Sequence, residues 1–242
     1  MTNQLLKASL AYVLLAGLFL FSSCKENVVR GKGSLTTETR EVQSFDKIII
    51  DVAIDANIVV GGTHSLEIKA KENLHDHIKT EVSGTTLRIY NDDIIYNRDD
   101  ITATIHLPAI SMLEINGAAD AVVRGDVKGP NFELKVFGAS EVDIEQVHVD
   151  SMSVKLSGAS ELKIAGGTAG TARYKVTGAG EIRANGVETK NATAKVSGAG
   201  EMELFVTEKL DADITGAGEI SYKGHPQITS DVTGAGELID KN

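Results

Sequence analysis

A five-residue phrase recurs seven times in the second half of the chain, and it constrains the fold more than any other feature. Its general form is a variable residue followed by Gly, Ala, a small residue and an acidic residue, as in Thr-Gly-Ala-Gly-Glu at residues 177–181. The first glycines of the phrases are Gly117, Gly138, Gly158, Gly178, Gly198, Gly216 and Gly234. Because the spacing is about 20 residues, the repeat predicts a solenoid in which each copy forms one coil.

Apolar residues flank every phrase at fixed positions. Two residues before the first glycine stand Ile115, Val136, Leu156, Val176, Val196, Ile214 and Val232. Four residues after it stand Ala121, Val142, Leu162, Ile182, Met202, Ile220 and Leu238. Side chains of a strand alternate between its two faces, so both columns are expected to line one core. The same alternation predicts that the glycines between them also point inward.

Charged residues occupy the opposite parity and are expected to face solvent. Three residues before the glycine stand Lys135, Lys155, Lys175 and Lys195, and three residues after it stand Asp120, Glu141, Glu161, Glu181, Glu201, Glu219 and Glu237. Stacking at ~4.8 Å makes like charges repel by ~0.9 kcal/mol in bulk water. We expect the lysine column to offset this repulsion, and to do so less where Asp213 and Asp231 replace lysine.

Short β-branched runs at residues 47–54, 58–60, 65–70, 86–90 and 101–107 predict further strands, whereas only residues 71–77 indicate a helical turn. The predicted fold is therefore all-β, a parallel β-helix with coils of about 20 residues. Seven stacked phrases would span ~29 Å, from six intervals of ~4.8 Å. An antiparallel sandwich built from hairpins is the alternative.

The N-terminus has the organisation of an export signal. Residues 5–21 form a mostly apolar run that contains Lys7 near its start and is short for a membrane span. Ser22 and Ser23 precede Cys24, the only cysteine in the chain. This arrangement resembles a bacterial lipobox, with residues 1–23 as signal peptide and Cys24 as the lipidation site. An ordinary signal peptide with an incidental cysteine is the alternative. Residues 24–44 are predicted to be a polar linker.

Composition excludes some classes of partner. A formal net charge of −10 argues against nucleic acid, because phosphate binding needs clustered Lys and Arg. Tryptophan is absent and aromatic residues make up 5% of the chain, which leaves few platforms for stacking sugars or bases. A glycan- or peptide-binding module would need an aromatic patch, for which Tyr90, Tyr96 and Phe137 are the candidates. No cofactor motif is present.

Four features together resemble the family described as putative auto-transporter adhesin, head GIN domain. They are the lipobox, residues 45–52 (Phe-Asp-Lys-Ile-Ile-Ile-Asp-Val), residues 66–74 (Leu-Glu-Ile-Lys-Ala-Lys-Glu-Asn-Leu) and the glycine phrases that begin at Asn116. The resemblance covers about residues 40–240, with residues 45–110 as an N-terminal β region and 111–242 as the repeat. It implies an exported β-helical domain with an adhesive or structural role, and it supplies no catalytic residues.

The glutamate column raises the alternative of a polysaccharide-active β-helix enzyme. Glycoside hydrolysis needs two carboxyls in different environments, whereas repeated glutamates are expected to have nearly identical surroundings. Coils of 18 to 21 residues also leave no long loop to build a cleft wall. We therefore expect a non-catalytic, lipid-anchored protein of the cell envelope, in the outer membrane.

Two acidic clusters and one histidine pair are the candidate metal ligands. The clusters are Asp92, Asp93, Asp99 and Asp100, and Asp211, Asp213, Asp231, Glu237 and Asp240. His75 and His77 have the alternate spacing that would place two imidazoles on one strand face. Solvated turns and exposed histidines explain these residues without a metal, so we expect no metal site beyond weak divalent binding at the last coils.

The two ends of a solenoid need cover, because an open coil presents unpaired backbone groups. The last phrase ends at Glu237, and few residues follow it. We expect the C-terminal coil to be covered by a second copy of the chain, or blunted by Asp240, Lys241 and Asn242.

Overall fold

The computed structural model describes residues 28–96 and 101–242. The predicted signal peptide (1–23), Cys24, Asp99 and Asp100 lie outside the described residues. Within them the chain forms one 3₁₀ helix, Glu72–Leu74, and eighteen strands. The strands are β1 (Val28–Arg30), β2 (Leu35–Arg40), β3 (Lys47–Asp51), β4 (Asp55–Val60), β5 (Ser65–Lys71), β6 (Ile78–Ser83), β7 (Thr86–Asn91), β8 (Ile94–Tyr96), β9 (Thr102–Leu107), β10 (Met112–Gly117), β11 (Asp120–Gly138), β12 (Glu141–Gly158), β13 (Glu161–Gly178), β14 (Glu181–Gly198), β15 (Glu201–Gly216), β16 (Glu219–Lys223), β17 (Gln227–Gly234) and β18 (Glu237–Asp240).

The repeat region is a parallel β-solenoid. Strands β11 to β15 each follow most of one coil, and each pairs in parallel with the next. The pairing is in register at the phrases, because Glu161 lies beside Glu181 and Gly178 beside Gly198. The predicted fold class, an all-β parallel solenoid with coils of about 20 residues, is confirmed, and the solenoid has about six turns. Equivalent residues of the phrases therefore form straight columns.

Each coil bends twice between its glycine corners, and the bends shift the inside–outside alternation. In the β13 coil the inward positions fall into three runs, which are Leu162 with Ile164, Gly167 with Ala169, and Ala172 with Tyr174 and Val176. Stacking these runs makes one continuous apolar core that extends from Phe45 to Tyr222. A buried Leu, Ile or Val side chain contributes ~1.5–3 kcal/mol, so burial of these columns stabilises the solenoid.

The first coils are assembled out of chain order. Strands β3 and β4 pair in parallel with β10 and β11 on one side and with β7 and β9 on the other. The coil that comes first in the sequence is thus the second in the stack. The strands on both sides of residue 110 consequently belong to the same sheet.

Antiparallel strands lie at the N-terminal end of the stack. β5 pairs antiparallel with β9 and β2, and β6 pairs antiparallel with β7. Leu66 and Ile68 of β5 and Ile78 of β6 are fully buried. Arg40 of β2 donates hydrogen bonds to the carbonyl oxygens of Ile78 (2.6 Å) and His75 (2.9 Å), which connects β2 to the segment around β6. This end of the core is covered by the chain itself.

The predicted linker is partly ordered into the fold. Two strands, β1 and β2, lie within residues 24–44, and β2 pairs with β5 along its whole length. The polar sequence of β2 gave no strand signal because β2 lies at an edge of the sheet, where none of its residues is buried. The folded body begins before residue 45.

The last coil is open on its far side. All residues of β17 are exposed, including Ile228 and Val232 at 43% each, although the same columns are buried in earlier coils. Asn242 closes the other part of this coil, since its side chain accepts a hydrogen bond from the Gly224 N–H (2.8 Å) and donates one to the Gly224 oxygen (2.7 Å). In the part of the chain that the structure describes, no helix has the length and apolar character to cross a membrane.

Candidate functional site

The glycine phrases form one corner of the solenoid. Each long strand ends at the first glycine and the next begins at the acidic residue, so the chain turns within the phrase. The first glycine has positive φ, such as +108° at Gly178, and points outward. The prediction that it points inward was wrong because the turn breaks the strand alternation. The fourth residue of the phrase, such as Gly180 or Ser160, is the buried one.

Hydrogen bonds continue across this corner from coil to coil. The Ala179 N–H donates to the Gly158 oxygen at 2.9 Å, and the Glu181 N–H donates to the Ser160 oxygen at 2.9 Å. A Cβ at Gly178 would lie 2.7 Å from that same Gly158 oxygen. The corner therefore needs glycine both for its φ and for the close approach of successive backbones.

Two charged faces meet at the glycine corner, and they are the candidate functional surfaces. The glutamate face carries the stacked column Glu141, Glu161, Glu181, Glu201, Glu219 and Glu237, with Asp143, Lys163, Arg183 and Glu203 in the next outward column. The lysine face carries Lys135, Lys155, Lys175 and Lys195, with Phe137, Ser157, Thr177 and Ser197 in the next outward column.

Arg183 divides the glutamate face. Its guanidinium pairs with Glu181 at 2.6 Å and also with Glu161 of the preceding coil. Burial and the like charges of Glu161 and Glu201 raise the pKa of the Glu181 carboxyl, although Arg183 acts in the opposite direction. The expectation that the glutamates have equivalent surroundings was wrong here, because a single arginine interrupts a repeated column.

The lysines do not neutralise the glutamate column within the described residues. Lys135 pairs with Glu133 at 3.0 Å and with Glu114 at 3.9 Å, and Lys195 pairs with Asp213 at 3.0 Å. The corner places the two columns on different faces, which is why the expected offset does not occur. Lys175 has no ion pair in the described part of the chain, so it is available to a ligand.

The three candidate aromatic residues do not form one patch. Each lies beside a cation, with the ring centroid of Tyr90 4.8 Å from Arg88, that of Tyr96 4.7 Å from Arg30 and that of Phe137 5.0 Å from Lys155. Tyr90 and Phe137 share a column but are separated by Asp51 and Asn116. Tyr96 belongs to a separate two-stranded sheet.

One of the metal-ligand candidates forms a cluster. His77 Nδ1 lies 2.8 Å from Asp93 and 3.6 Å from Asp92, and these three side chains could hold a cation. Lys79 already pairs with Asp92 at 3.2 Å. Burial opposes ionisation of Asp92, but the hydrogen bond and charge of Lys79 together with His77 hold its pKa below the usual value.

The two histidines do not share a strand face as their spacing predicted. His75 follows the 3₁₀ helix and contacts Thr36 (3.0 Å) and Glu38 (3.3 Å) of β2, away from His77. That helix breaks the alternation on which the prediction depended.

The C-terminal acidic residues are distributed over several strands. Asp213 and Asp231 are neighbours in register, Asp213 is paired with Lys195, and Asp240 accepts hydrogen bonds from Asn242. Among the described residues they do not converge as metal ligands.

The sequence analysis did not identify Arg183 as a functional residue. The sequence could have indicated it, because Arg183 is the only arginine of its column in the repeat.

Comparison with known proteins agrees with the fold and identifies the family. A putative adhesin from Bacteroides fragilis is 25% identical with a TM-score of 0.83, covering 88% of this chain and 99% of its own. A putative adhesin from Parabacteroides merdae (22% identity, TM-score 0.73, covering 89% and 100%) and a putative lipid binding protein from Parabacteroides distasonis (24%, 0.72, 89% and 100%) have the same fold. A comparison with curated proteins found no match.

The family comparison covers most of the chain. Residues 44–226 match the family described as putative auto-transporter adhesin, head GIN domain. This range contains the first coils and six of the seven glycine phrases. The chain belongs to that family, as the resemblance of its sequence predicted.

Proposed function

We propose that this protein is a non-catalytic, lipid-anchored component of the cell envelope that presents its solenoid for adhesion or for contacts within the envelope. The observation that carries the proposal is the pair of flat, ladder-like charged faces on an in-register solenoid, in a chain that belongs to an adhesin family. Identical side chains at regular spacing suit repeated contacts with an extended surface or polymer.

The absence of catalysis is part of the proposal. The glutamates lie on an outer face, and the pair with distinct environments, Glu161 and Glu181, is bound by Arg183. A polysaccharide-active enzyme, the alternative, would need two carboxyls in different environments, and this pair is the candidate. Reducing-sugar release from a panel of polysaccharides, with Glu181→Gln as the control, distinguishes the two, because enzymatic activity that the substitution removes would contradict the proposal.

Attachment through Cys24 is the second part of the proposal. It is supported by the lipobox-like sequence, in which Ser22 and Ser23 precede the only cysteine of the chain. We expect mass spectrometry of the mature protein to find an acylated N-terminal Cys24. We expect Cys24→Ala to move the protein from the outer-membrane fraction to the soluble fraction. A mature N-terminus elsewhere, or unchanged fractionation, would contradict this part.

A glycan- or peptide-binding role through the lysine face is a second candidate. It is favoured by Lys175, which has no ion pair in the described residues, and by Lys155 stacked near Phe137. Such a face suits acidic ligands, so glycan arrays that contain acidic and neutral glycans are the test. Lys175→Glu should abolish binding to the acidic glycans. Lys163→Glu, an equal charge change on the glutamate face, should leave that binding intact.

The other partners are proposed on the same basis. Self-association would use the open C-terminal coil, where Ile228 and Val232 are exposed. Nucleic acid is not among the proposed partners, since the formal net charge is −10.

A further inference from the structure

Exposed apolar side chains are concentrated at the two ends of the described structure. The large ones are Val28, Leu35, Ile94 and Tyr96 at the end of the stack that contains β1, β2 and β8, and Ile228 and Val232 on the last coil. Val28, Ile94 and Tyr96 are 57%, 43% and 56% exposed, respectively. Scattered single apolar residues need no explanation, but three on two paired strands of three residues form a patch.

This patch is one side of the two-stranded sheet formed by β1 and β8. The strands pair in parallel, with Val28 beside Ile94 and Arg30 beside Tyr96. Their alternate residues point the other way, where Ile95 is buried and Val29 packs against the core. We call the exposed side, formed by Val28, Arg30, Ile94 and Tyr96, the β1–β8 face. The apolar residues of this face are exposed to solvent, whereas those of the opposite side pack inward.

The β1–β8 face is held in a fixed orientation. Asn73, in the 3₁₀ helix, donates a hydrogen bond to the Arg30 oxygen at 2.9 Å and accepts one from the Lys32 N–H at 2.5 Å. A shallow hollow of about 670 Å³ opens beside the face and is lined by Arg30, Lys32, Asn73 and Tyr96. Apolar residues, a tyrosine and two cations thus lie within one small surface.

The position of this face in the chain indicates what covers it. Cys24 precedes Val28 by four residues, which reach at most ~14 Å when fully extended. A lipid on Cys24 would therefore hold the β1–β8 face close to the membrane surface. Arg30 and Lys32 are exposed cations in a chain of net charge −10, and the neighbouring Asp92 and Asp93 are paired with Lys79 and His77. The two cations complement lipid phosphates, and the exposed carboxylate of Glu72 lies beside Gly33 in the same segment.

We propose that the β1–β8 face docks on the phospholipid bilayer, with Val28, Ile94 and Tyr96 at the boundary between headgroups and acyl chains and with Arg30 and Lys32 beside the phosphates. Tyrosine suits this boundary because it has an apolar ring and a polar tip. The proposal rests on the proposed function in one respect, since the anchor at Cys24 keeps the face near a membrane. Docking would orient the solenoid with its last coil away from the bilayer.

The sequence makes a clean experiment possible, because the chain has no tryptophan and only one cysteine. The chain from Cys24 to Asn242, which contains every described residue, is coupled through the Cys24 thiol to a maleimide lipid in phosphatidylcholine–phosphatidylglycerol vesicles. Tyr96→Trp then serves as the only indole reporter, and quenching by brominated acyl chains measures its depth. Val232→Trp is the matched control. Val232 is on β17, which lies eight rungs of ~4.8 Å, or ~38 Å, along the stack from β7, the strand that precedes the β8 of Tyr96.

We expect Trp emission from the Tyr96→Trp variant to shift to shorter wavelength on coupling. Brominated lipids should quench this emission at least about three times more strongly than the emission of the Val232→Trp variant. Ile94→Ser in the Tyr96→Trp background should reduce the quenching, whereas Ile228→Ser in the same background should not. Far-UV circular dichroism of each variant before coupling checks that it is folded. Equal quenching of the two reporters, or no effect of Ile94→Ser in a folded protein, would overturn the proposal.

The chemical coupling separates this inference from the lipidation on which it rests. If Cys24 is not acylated in the cell, the anchor fails but the vesicle result still decides whether the face docks. If Cys24 is acylated and the Tyr96→Trp reporter is not quenched, the docking face fails while the lipid anchor stands.

Discussion

Tyr174 is the largest fully buried side chain of the described core, and the coils suppress its ionisation. It lies in register between Val154 and Ala194, so a large side chain stacks on a small one. Burial raises the pKa of Tyr174 to about 12, although a hydrogen bond with the Thr189 side chain acts in the opposite direction. The alternating side-chain sizes of adjacent coils thus leave room for one aromatic ring.

The raised pKa of Tyr174 predicts a loss of stability at high pH. The folded state keeps the phenol protonated while the unfolded chain releases the proton near pH 10, so this contribution is complete below pH 10 and is lost between pH 10 and about 12. The loss amounts to about 3 kcal/mol for two pKa units. Tyr174→Phe should lack it. Urea unfolding of both proteins from pH 8 to pH 12 measures the difference, and parallel curves would refute the explanation.

The glycine corner predicts a graded response to added methyl groups. Gly117 and Gly178 have similar φ values, +115° and +108°, but a Cβ at Gly117 meets no atom within 4 Å whereas one at Gly178 lies 2.7 Å from the Gly158 oxygen. Gly117→Ala should cost ~1–3 kcal/mol from backbone strain alone. Gly178→Ala should cost at least ~1 kcal/mol more because the coils must separate. Equal losses in urea unfolding would show that the close approach is unimportant.

Whether a residue points into the core could be predicted from the sequence only where the strand alternation continued. The columns of Val176 and Ile182 are buried as predicted in the coils before the last one, because both lie on regular strands there, whereas Val232 on the last coil is exposed. The direction of Gly178 was predicted wrongly because the chain turns between Val176 and Ile182. Glycine has no side chain whose polarity could have indicated the direction. Arg183 was missed because the prediction relied on residues that recur in every coil. The effect of Arg183 arises because no other coil has an arginine at this position.

At the scale of the strand, the glutamate column is the least favourable repeated feature. Stacked carboxylates repel one another, and Arg183 relieves this repulsion at two successive coils. Its neighbour in the same column, Lys163, has no ion pair within the described residues and is exposed. The two residues therefore form a matched pair of positive charges with different contacts.

Arg183→Gln should lower the melting temperature at pH 7 more than Lys163→Gln does. The pKa of Glu181 is already raised, and removing the arginine should raise it further, so the folded state then binds protons more readily than the unfolded chain. The deficit of the arginine variant should accordingly shrink as the pH falls and the carboxyls are protonated. Melting curves between pH 4 and pH 7 test this, and a pH-independent deficit would contradict it.

The strands that the sequence predicted are those with buried β-branched residues, such as β3 and β9. Among the missed strands, β1, β2 and β8 are short or lack buried positions on one side, and they pair with strands distant in sequence. Strand β6 was also missed, since only its first residue, Ile78, is buried, although it pairs with the adjacent β7. The stacking of β3 and β4 between β7–β9 and β10–β11 was also not predictable, since no repeat marks those strands. The local pattern of apolar residues predicts that a segment forms a strand, but it does not predict which strand pairs with it.

At the scale of the whole molecule, the two ends of the stack differ. Antiparallel strands cover the core at the N-terminal end, whereas the last coil leaves the Ile228 and Val232 columns exposed. An unpaired strand edge with apolar residues favours pairing with another chain. The open end is therefore the expected contact for self-association.

Self-association should depend on concentration and on these two residues. We expect light scattering of the mature chain at high concentration to report more than one copy, and Ile228→Lys with Val232→Lys to make it monomeric. Leu35→Lys, a comparable change at the other end, should leave the association unchanged. A monomer at all concentrations, or equal effects of the changes at both ends, would contradict a contact through the last coil.

The central claim is that equivalent residues of successive coils lie directly above one another, and a pair of distances tests it most directly. In a Cys24→Ser background, nitroxide labels at Asp120 and Glu201 should lie four rungs apart, and labels at Asp120 and Glu237 six rungs apart. Pulsed electron paramagnetic resonance should therefore give distances near ~19 Å and ~29 Å, which differ by two rungs of ~4.8 Å. Distances that do not increase by this amount would contradict the stacked solenoid and the charged faces that depend on it.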